Sequence, residues 1–373
     1  MKKVSIIVLT FFIIAGILPA QQILTKAASN TTLRFSSFYG DGMLFKRNEP
    51  VNINGSAKPG NTVTVKLMKG NTLVTKAVAS VSQNGSWKAS LSSQPGGYTK
   101  YNIQITDNEK ETVTISDIVF GELWLAAGQS NMEFKLWQTP SAQEMLKNPN
   151  DEYLRFLNMP GNPEGGNNSG KVPYSPKTEI KSAYWGKGND KDKLRQLSAV
   201  AYYFAARLRK ELNVPVGVLN TPLGSTAIYS WLSREAIDGN NNVKTYLQST
   251  NRYLKEENWN QAGNSNFKQM TAMFNQKVAP LSVLNISGTI WYQGEDQSNE
   301  PAGTYRQALG LLLHDYSKHF RFTNDSMPLI YAHLAPHYYG SGKIFDQLAY
   351  FSEDLSNAWR DHPSNMAQIP IYD

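Results

Sequence analysis

A serine follows a short apolar run of the chain, in a setting where a serine hydroxyl can act as a nucleophile. The run Leu123–Ala127 is entirely apolar, as in a buried strand of a parallel sheet. Gly128 ends it with a residue that allows a tight turn. We therefore expect Ser130 at the carboxyl end of a strand and the start of a helix, where ligands bind and free N–H groups receive negative charge. Structural turns also contain Gly-x-Ser, so the spacing alone leaves catalysis open.

Two further strand ends carry residues that could assist such a serine. Gly224 follows the predicted strand Val214–Asn220, and Gln293 follows the predicted strand Val283–Tyr292. Parallel strands end at one edge of a sheet, so both residues are expected near Ser130. Acyl transfer needs donors for the oxyanion, and the Gly224 N–H and the Gln293 amide could supply them beside the N–H of Ser130. Taken singly, Gly224 is equally well an ordinary turn glycine and Gln293 a structural polar group.

The proton acceptor for such a serine is harder to find. A neutral histidine would take the proton, and a carboxylate would orient that histidine. The histidines are His314 and His319 in a predicted helix, His333 in an apolar strand, His337 after it, and His362. His362 is the candidate base, but Asp361 is its immediate neighbour and could not readily orient its ring. We read Asp361-His362-Pro363 as the end of a helix.

Two adjacent carboxylates, Glu295 and Asp296, follow Gln293. Such a pair could indicate a glycosidase or a metal site, but neighbours on an extended segment point apart and no histidine is near. We interpret Glu295 as a residue that holds the Gln293 loop. The chain has no cysteine, which excludes a thiol nucleophile and thiolate metal ligands. We predict neither a metal nor a cofactor. Four tryptophans near these candidates could stack on a sugar ring or lie in the core: Trp124, Trp137, Trp231 and Trp291.

The elements that must position these residues differ along the chain. Residues 31–116 contain short Val-, Thr- and Ile-rich runs separated by Pro and Gly, which predicts a small β-sandwich. The runs are Val51–Ile53, Thr62–Leu67, Leu73–Val81, Ile103–Thr106 and Thr112–Ile115. From residue 117 to residue 373, strands alternate with helices, which predicts a parallel sheet and an α/β domain.

The best predicted helix of that α/β part is Leu194–Leu212, where apolar residues recur at intervals of three and four until Asn213 and Pro215. The further elements predicted there are a helix at Tyr305–Phe320, a strand at Pro328–Leu334, a helix at Phe351–Trp359 and a strand at Gln368–Tyr372. Residues 139–193 are rich in Asn, Gly, Pro and Lys, and we expect loops there.

The chain begins with the pattern of a secretion signal, predicted at residues 1–28. Lys2 and Lys3 precede the mostly apolar run Val4–Leu18, and small residues follow it. An uncleaved anchor is the alternative, although the run is short for a membrane span. The protein is thus expected to be secreted, without stable membrane association after cleavage. Removing Lys2, Lys3 and Lys26 from the net charge of +7 leaves +4 (7 − 3), with no basic tract for nucleic acid.

Several blocks of the sequence, taken in order, resemble the sialate O-acetylesterase family, a carbohydrate-esterase branch of the SGNH hydrolases. The blocks are Asp41-Gly42-Met43-Leu44, Gly85-Ser86-Trp87, Gly128-Gln129-Ser130-Asn131-Met132, Ser198-Ala199-Val200-Ala201-Tyr202, Pro215-Val216-Gly217, Gly224-Ser225-Thr226 with Trp231, and Trp291-Tyr292-Gln293-Gly294-Glu295. The resemblance implies an SGNH (flavodoxin-like) three-layer domain with a parallel sheet behind the small β domain. It also implies ester hydrolysis with Ser130 as nucleophile and Gly224 and Gln293 in the oxyanion hole.

The chain departs from the resemblance at two places. It has Gly-Gln-Ser-Asn, like its own branch of the superfamily, where the general SGNH pattern has Gly-Asp-Ser-Leu. Met132 also stands where the Gly-x-Ser-x-Gly elbow of ordinary α/β hydrolases has its second glycine. The family carries its catalytic Asp and His after a last strand, and Tyr372-Asp373 resembles the end of that strand. We therefore expect the chain to be incomplete at its C-terminus, without the base.

The function expected from the sequence is a secreted carbohydrate O-acetylesterase that forms an acyl-enzyme on a serine. The alternative is a non-catalytic carbohydrate-binding protein on the same scaffold, because the His and Asp pair is missing from the expected place. Acyl transfer to another sugar is a third possibility. The expected partner is an acetylated carbohydrate, and the sequence does not identify the sugar.

Overall fold

The computed structural model describes residues 32–159, 161, 172–180, 182–259, 267–335 and 344–371. The predicted signal at 1–28, His337 and Tyr372-Asp373 lie outside these residues. Within the described ranges, no helix is long and apolar enough to cross a membrane. This part of the chain has a mixed α/β fold with one large mixed sheet and one small sheet.

The strands are β1 (Arg34–Phe35), β2 (Leu44–Lys46), β3 (Val51–Ser56), β4 (Thr62–Lys69), β5 (Thr72–Ser80), β6 (Ser86–Leu91), β7 (Gly97–Asp107), β8 (Thr112–Gly128), β9 (Asp151–Asn158), β10 (Tyr184–Gly188), β11 (Val216–Asn220), β12 (Gly288–Tyr292), β13 (Leu329–Ala332) and β14 (Met366–Ile369). The α-helices are α1 (Ser130–Glu133), α2 (Ala142–Met145), α3 (Lys191–Leu194), α4 (Ala199–Leu212), α5 (Arg234–Gly239), α6 (Asn241–Ser249), α7 (Glu256–Trp259), α8 (Thr304–His319) and α9 (Ile344–Asp361). Among the shorter helical segments, a π-helical turn covers Phe274–Val278.

The long strand β8 connects the β-rich beginning of the chain to the candidate nucleophile. Its first part pairs antiparallel with β7, and Val119–Gly121 pairs with β2. Its last part pairs in parallel with β11 on one side and β12 on the other. The residues from Leu123 to Gly128 are buried, as expected for a central strand of a parallel sheet. The single strand β8 therefore runs from the β-rich beginning of the chain to Ser130.

The large sheet has the strand order β10-β9-β11-β8-β12-β13-β14 along its main path. Every neighbouring pair from β9 to β14 is parallel, and β10 alone on this path runs antiparallel, against β9. The carboxyl ends of β8, β11 and β12 consequently lie at one edge of the sheet. This confirms the predicted common edge for Ser130, Gly224 and Gln293.

The segment predicted as loops, residues 139–193, contains two strands instead, β9 and β10. The apolar pattern of β9 is interrupted by Arg155, which made the strand hard to recognise. Arg155 is fully buried because its guanidinium donates to both carboxylate oxygens of Asp117 at 3.0 Å and to the Gly42 carbonyl at 3.0 Å. A charge that finds such partners can be buried inside a strand.

The first strands divide between the two sheets. β1, β3 and β6 form the small sheet, whereas β4, β5 and β7 join the large sheet through β8. The predicted boundary between residues 116 and 117 falls within β8. The separate β-sandwich over residues 31–116 thus stays a prediction, although each of its predicted runs overlaps a strand.

Helix α4 confirms most of the predicted helix Leu194–Leu212. It begins at Ala199 because the Ser198 hydroxyl caps it by accepting from the Ala201 N–H at 3.1 Å. It ends at Leu212, where Asn213 caps it with a left-handed φ of 51°, and Pro215 follows. The later predicted elements are also present as β11, β12, α8, β13, α9 and β14, with shifted ends.

Candidate active site

Ser130 lies where β8 ends and α1 begins, as the sequence predicts. Gly128 has a φ of 139°, and a Cβ at this position would lie 2.1 Å from the Tyr292 carbonyl oxygen. Only glycine fits this close approach of β8 to β12. The Gln129 N–H donates to the same carbonyl at 3.0 Å, which directs the chain out of the sheet. Ser130 is exposed at the first position of α1.

Gly224 lies directly against Ser130. The turn that carries it is fixed to the end of β8, because the Leu223 N–H donates to the Gly128 carbonyl at 3.0 Å. A Cβ on Gly224 would lie 3.5 Å from the Ser130 Cβ and 3.1 Å from Glu133 Oε2. The Gly224 N–H donates to that same Glu133 oxygen at 2.7 Å. The predicted proximity is confirmed, and this N–H binds an anionic oxygen.

Gln293 lies at the predicted edge, but its side chain is fully buried. Its Nε2 donates to Gln129 Oε1 at 2.8 Å, to the Thr226 carbonyl at 3.1 Å and to Gln297. Its Oε1 accepts from the Tyr305 hydroxyl at 2.8 Å. Protein acceptors thus surround both amide hydrogens, so the side chain links the Ser130 and Gly224 loops and does not point an N–H into the site. The oxyanion role predicted for Gln293 is not supported by this arrangement, whereas a holding role is.

Glu295 fits its predicted role of holding a loop. Its Oε1 accepts a hydrogen bond from the Asn131 amide, next to Ser130. The Asp296 N–H points to Gln129 Oε1 at 3.4 Å. These contacts connect the loop after β12 to the first turn of α1. Among the described residues, no group of three or more His, Asp and Glu side chains forms a site for a metal ion.

The prediction of His362 as the base is wrong in this fold. His362 follows the end of α9 and precedes β14, which is parallel to the other strands of the main sheet. It therefore lies at the amino edge of the sheet, whereas Ser130 lies at the carboxyl edge. Its ring packs against α8, with Nε2 3.3 Å from where a Cβ on Gly310 would be.

The other described histidines lie on α8 and directly after β13. His314 pairs with Asp325 at 2.9 Å, and His319 lies 3.3 Å from Asp315. His333, at the end of β13, is hydrogen-bonded to Gln368 at 2.7 Å, and burial lowers its pKa against the opposing effect of that bond. His337 lies outside the described residues.

Two charged residues near Ser130 were not identified from the sequence. Glu133 belongs to α1 and carries the carboxylate that binds the Gly224 N–H. Lys277 lies on the π-helical turn, is fully buried, and donates to the carbonyls of Met159 at 3.2 Å and Pro222 at 3.4 Å. Burial, opposed by the negative charge of Glu133, lowers the pKa of Lys277 to about 8. A lysine within the mostly apolar run 272–281 was the one sequence signal available.

The tryptophans divide between core and surface. Trp124, Trp231 and Trp291 are buried, in line with a core role. Trp137 is 40% exposed, and the guanidinium of Arg195 lies 5.8 Å from its ring centroid. Phe134, one turn after Ser130, is also exposed. Aromatic surface is thus available close to the nucleophile.

Comparison with known proteins identifies relatives of this arrangement. Residues 121–357 match the family described as carbohydrate esterase, sialic acid-specific acetylesterase. The sialate O-acetylesterase of Homo sapiens is 26% identical over 308 residues, which cover 77% of this chain and 53% of that protein. The Mus musculus sialate O-acetylesterase is 25% identical over 312 residues, which cover 78% of this chain and 57% of that protein. The chain therefore spans about half the length of the curated relatives it matches.

A solved structure shows the same fold. The structure of a carbohydrate acetylesterase from Xanthomonas citri superposes with a TM-score of 0.74 at 22% identity, covering 91% of this chain and 68% of that one. The similarity extends over most of the described strands and helices. At this identity it bears on the fold alone.

Proposed function

The chain belongs to the sialic acid-specific acetylesterase family of carbohydrate esterases, and we propose that it hydrolyses O-acetyl esters of carbohydrates with Ser130 as the nucleophile. The observation that carries this proposal is the position of Ser130. Ser130 is exposed at the carboxyl edge of the sheet, and the backbone of Gly224 lies beside it. Acyl transfer requires such an accessible nucleophile next to backbone N–H donors.

The proposed reaction has two steps. The Ser130 oxygen attacks the acetyl carbonyl carbon, a general base accepts its proton, and the N–H groups of Ser130 and Gly224 stabilise the oxyanion. The sugar oxygen then leaves with a proton, so the acetyl group remains on Ser130. Water attacks this ester in the second step and releases acetate. With His362 set aside, His337 remains the histidine candidate for the base within this sequence.

The alternative is a carbohydrate-binding protein without catalysis on the same scaffold. Three described histidines favour it, because His314 and His319 pair with Asp325 and Asp315, and His362 lies at the amino edge of the sheet. The exposed rings of Phe134 and Trp137 would serve either function, since sugar rings stack on aromatic side chains.

Acetate release and active-site labelling test this proposal. We expect p-nitrophenyl acetate and O-acetylated sialic acid or xylan to release acetate, and a fluorophosphonate to label the chain. Ser130→Ala should abolish labelling and reduce the rate by about 10⁴-fold or more if the base is present. If the base is absent, wild-type turnover will barely exceed that of Ser130→Ala.

A matched control is Ser93→Ala, which alters an exposed serine in the β-rich part and should behave as wild type. Undiminished hydrolysis by Ser130→Ala would contradict the assignment of the nucleophile. Glycan binding that is unaffected by Ser130→Ala, together with an absence of labelling, would favour the binding alternative. For the predicted signal, we propose export with cleavage near residue 28, which N-terminal sequencing of the protein from the culture medium would check.

A further inference from the structure

The backbone N–H of Gly224 already holds a negative oxygen. Glu133 Oε2 accepts from it at 2.7 Å, and this carboxylate comes from α1, three residues after Ser130. The notional Cβ of Gly224 would be 3.1 Å from that oxygen and 3.5 Å from the Ser130 Cβ. The carboxylate therefore occupies the side of Ser130 from which an oxyanion would receive the same hydrogen bond. A substrate carbonyl has to take this donor from Glu133.

The buried ammonium of Lys277 contacts the loop that carries Gly224. Lys277 Nζ donates to the carbonyls of Met159 and Pro222, and Pro222 lies two residues before Gly224. Its ammonium therefore fixes the loop that presents the Gly224 N–H. Its charge also acts on Glu133, because the Glu133 carboxylate raises the pKa of Lys277 against the larger lowering effect of burial.

Burial of the Lys277 ammonium is expected to lower the stability of the folded protein. A fully buried ammonium loses its water, and two backbone carbonyls do not neutralise it. The neighbouring Gln276 is also buried, and its amide has no hydrogen-bond partner among the described residues. Both lie on a π-helical turn, a feature that is frequent at functional sites. A segment that is unfavourable for folding is expected where function requires it.

We propose that Lys277 is a positioning residue of the reaction, whose ammonium holds the Gly224 loop and favours negative charge at the Gly224 N–H, a position that Glu133 fills until substrate binds. This inference rests on the proposed ester hydrolysis and extends it to two residues without an assigned role. Lys277 would stabilise the oxyanion through its charge. Glu133 would compete with the substrate carbonyl for the same donor.

Two substitutions are expected to change kcat/KM in opposite directions. Lys277→Met keeps the length of the side chain and removes the buried charge, so Tm should be unchanged or higher. Its kcat should nevertheless fall about tenfold or more, with little change in KM, because the charge acts mainly on the transition state. Glu133→Gln leaves a weaker acceptor at Gly224, so KM should fall and kcat/KM should rise several-fold, up to about tenfold.

The exposed pair Glu144 and Lys147 supplies matched controls, since their side chains are 84% and 70% exposed. Glu144→Gln and Lys147→Met make the same chemical changes away from the site, and both should retain wild-type kinetics. A Lys277→Met protein with a lower Tm and unaltered kcat would show a purely structural role and overturn the proposal.

A second readout does not depend on turnover. In ¹⁵N-glycine-labelled protein, the Gly224 amide resonance can be assigned by its loss in Gly224→Ala. Glu133→Gln should shift this amide proton upfield, because a carboxylate acceptor is replaced by an amide oxygen. Sodium acetate should then shift it back in Glu133→Gln, and should do so more weakly when Lys277→Met is added.

These two readouts separate the inference from the proposed function. Amide shifts as expected, without Ser130-dependent hydrolysis and without fluorophosphonate labelling of Ser130, would refute the esterase and keep the anion-binding position. A Gly224 amide resonance that shifts neither with Glu133→Gln nor with acetate would overturn the inference, even if Ser130-dependent hydrolysis were robust.

Discussion

Two glycines shape the surroundings of Ser130, and they do so for different reasons. Gly128 is needed by the fold, because its φ of 139° and its contact with the Tyr292 carbonyl leave no room for a side chain. A Cβ on Gly224 would make a tight contact of 3.1 Å with the flexible end of the Glu133 side chain and an ordinary contact of 3.5 Å with the Ser130 Cβ. A side chain at position 128 is therefore expected to reduce stability, and a side chain at position 224 is expected to reduce access to Ser130.

Alanine at each of these glycines should separate the two effects. Gly128→Ala is expected to lower the free energy of unfolding by about 3 kcal/mol or more, because backbone must move and φ is strained. Gly224→Ala should lower it by less than about 1 kcal/mol, since a flexible carboxylate can yield. It should still lower kcat/KM about 10- to 100-fold, because a methyl group enters the space beside Ser130. Thermal unfolding and steady-state kinetics measure both.

The opposite pattern would refute this assignment of roles. If Gly128→Ala folds with wild-type stability, the close approach of β8 to β12 is not a constraint. If Gly224→Ala hydrolyses esters at the wild-type rate, the space beside Ser130 is not where the substrate carbonyl lies.

At the scale of elements, strands β8 and β9 are joined by an ion pair between a buried arginine and a partly exposed aspartate. Arg155 of β9 is fully buried, and Asp117 in β8 has a left-handed φ of 58°, which aspartate tolerates. Burial alone would raise the pKa of Asp117, but the hydrogen bonds and charges of Arg155 and Lys187 outweigh it and hold that pKa below its usual value. This pair lies where the β-rich part meets the parallel strands.

Removing the charge of Asp117 should strongly destabilise the protein. Asp117→Asn keeps the shape and the backbone preference but leaves Arg155 buried without a counter-charge, at a cost of about 3 kcal/mol. A depressed carboxylate pKa stabilises the folded state fully above the unfolded value of about 4, and this contribution is lost as pH falls through the lower folded pKa. The difference in Tm between wild type and Asp117→Asn should therefore be constant near neutral pH and shrink in acid.

The exposed Asp192 of α3 provides a comparison, and Asp192→Asn should leave Tm unchanged at every pH. A Tm difference for Asp117→Asn that persists unchanged below pH 3 would mean that the charge of Asp117 is not the stabilising factor.

At the scale of the whole molecule, the β-rich and α/β parts share one strand. The described residues from Thr32 onward form one compact unit, and β8 pairs with β7 at one end and with β11 and β12 at the other. Two parts that share a central strand cannot unfold separately without breaking it. Folding is therefore expected to be cooperative across the position predicted from sequence as a domain boundary.

A core substitution far from the site should test this cooperativity. Val65 of β4 is fully buried, so Val65→Ala should lower the free energy of unfolding by about 1–3 kcal/mol. Hydrogen exchange should show the same loss of protection at the amides of β12, because both belong to one unfolding unit. Val78→Ala in β5, at a side chain that is 65% exposed, should change neither. Unaltered protection of β12 in Val65→Ala would instead show two independently folding parts.

Local patterns in the sequence determined much of this protein. The apolar run before Gly128, the glycines at 128 and 224, and the end of α4 at Asn213 and Pro215 depend on near neighbours in the chain, so residue type and spacing were sufficient to predict them. The alternation of strands and helices indicated a parallel sheet, and a parallel sheet places Ser130, Gly224 and Gln293 at one edge.

Tertiary structure alone decided what these residues contact. The strand β9 was missed because Arg155 interrupts its apolar pattern, and its partner Asp117 lies 38 residues away in the chain. His362 was a candidate base until the direction of β14 placed it at the opposite edge of the sheet. The contacts of Glu133 with Gly224 and of Lys277 with Pro222 join residues 91 and 55 positions apart. Hydrogen bonds and charges act through space, so such distant partners become visible only when the chain is folded.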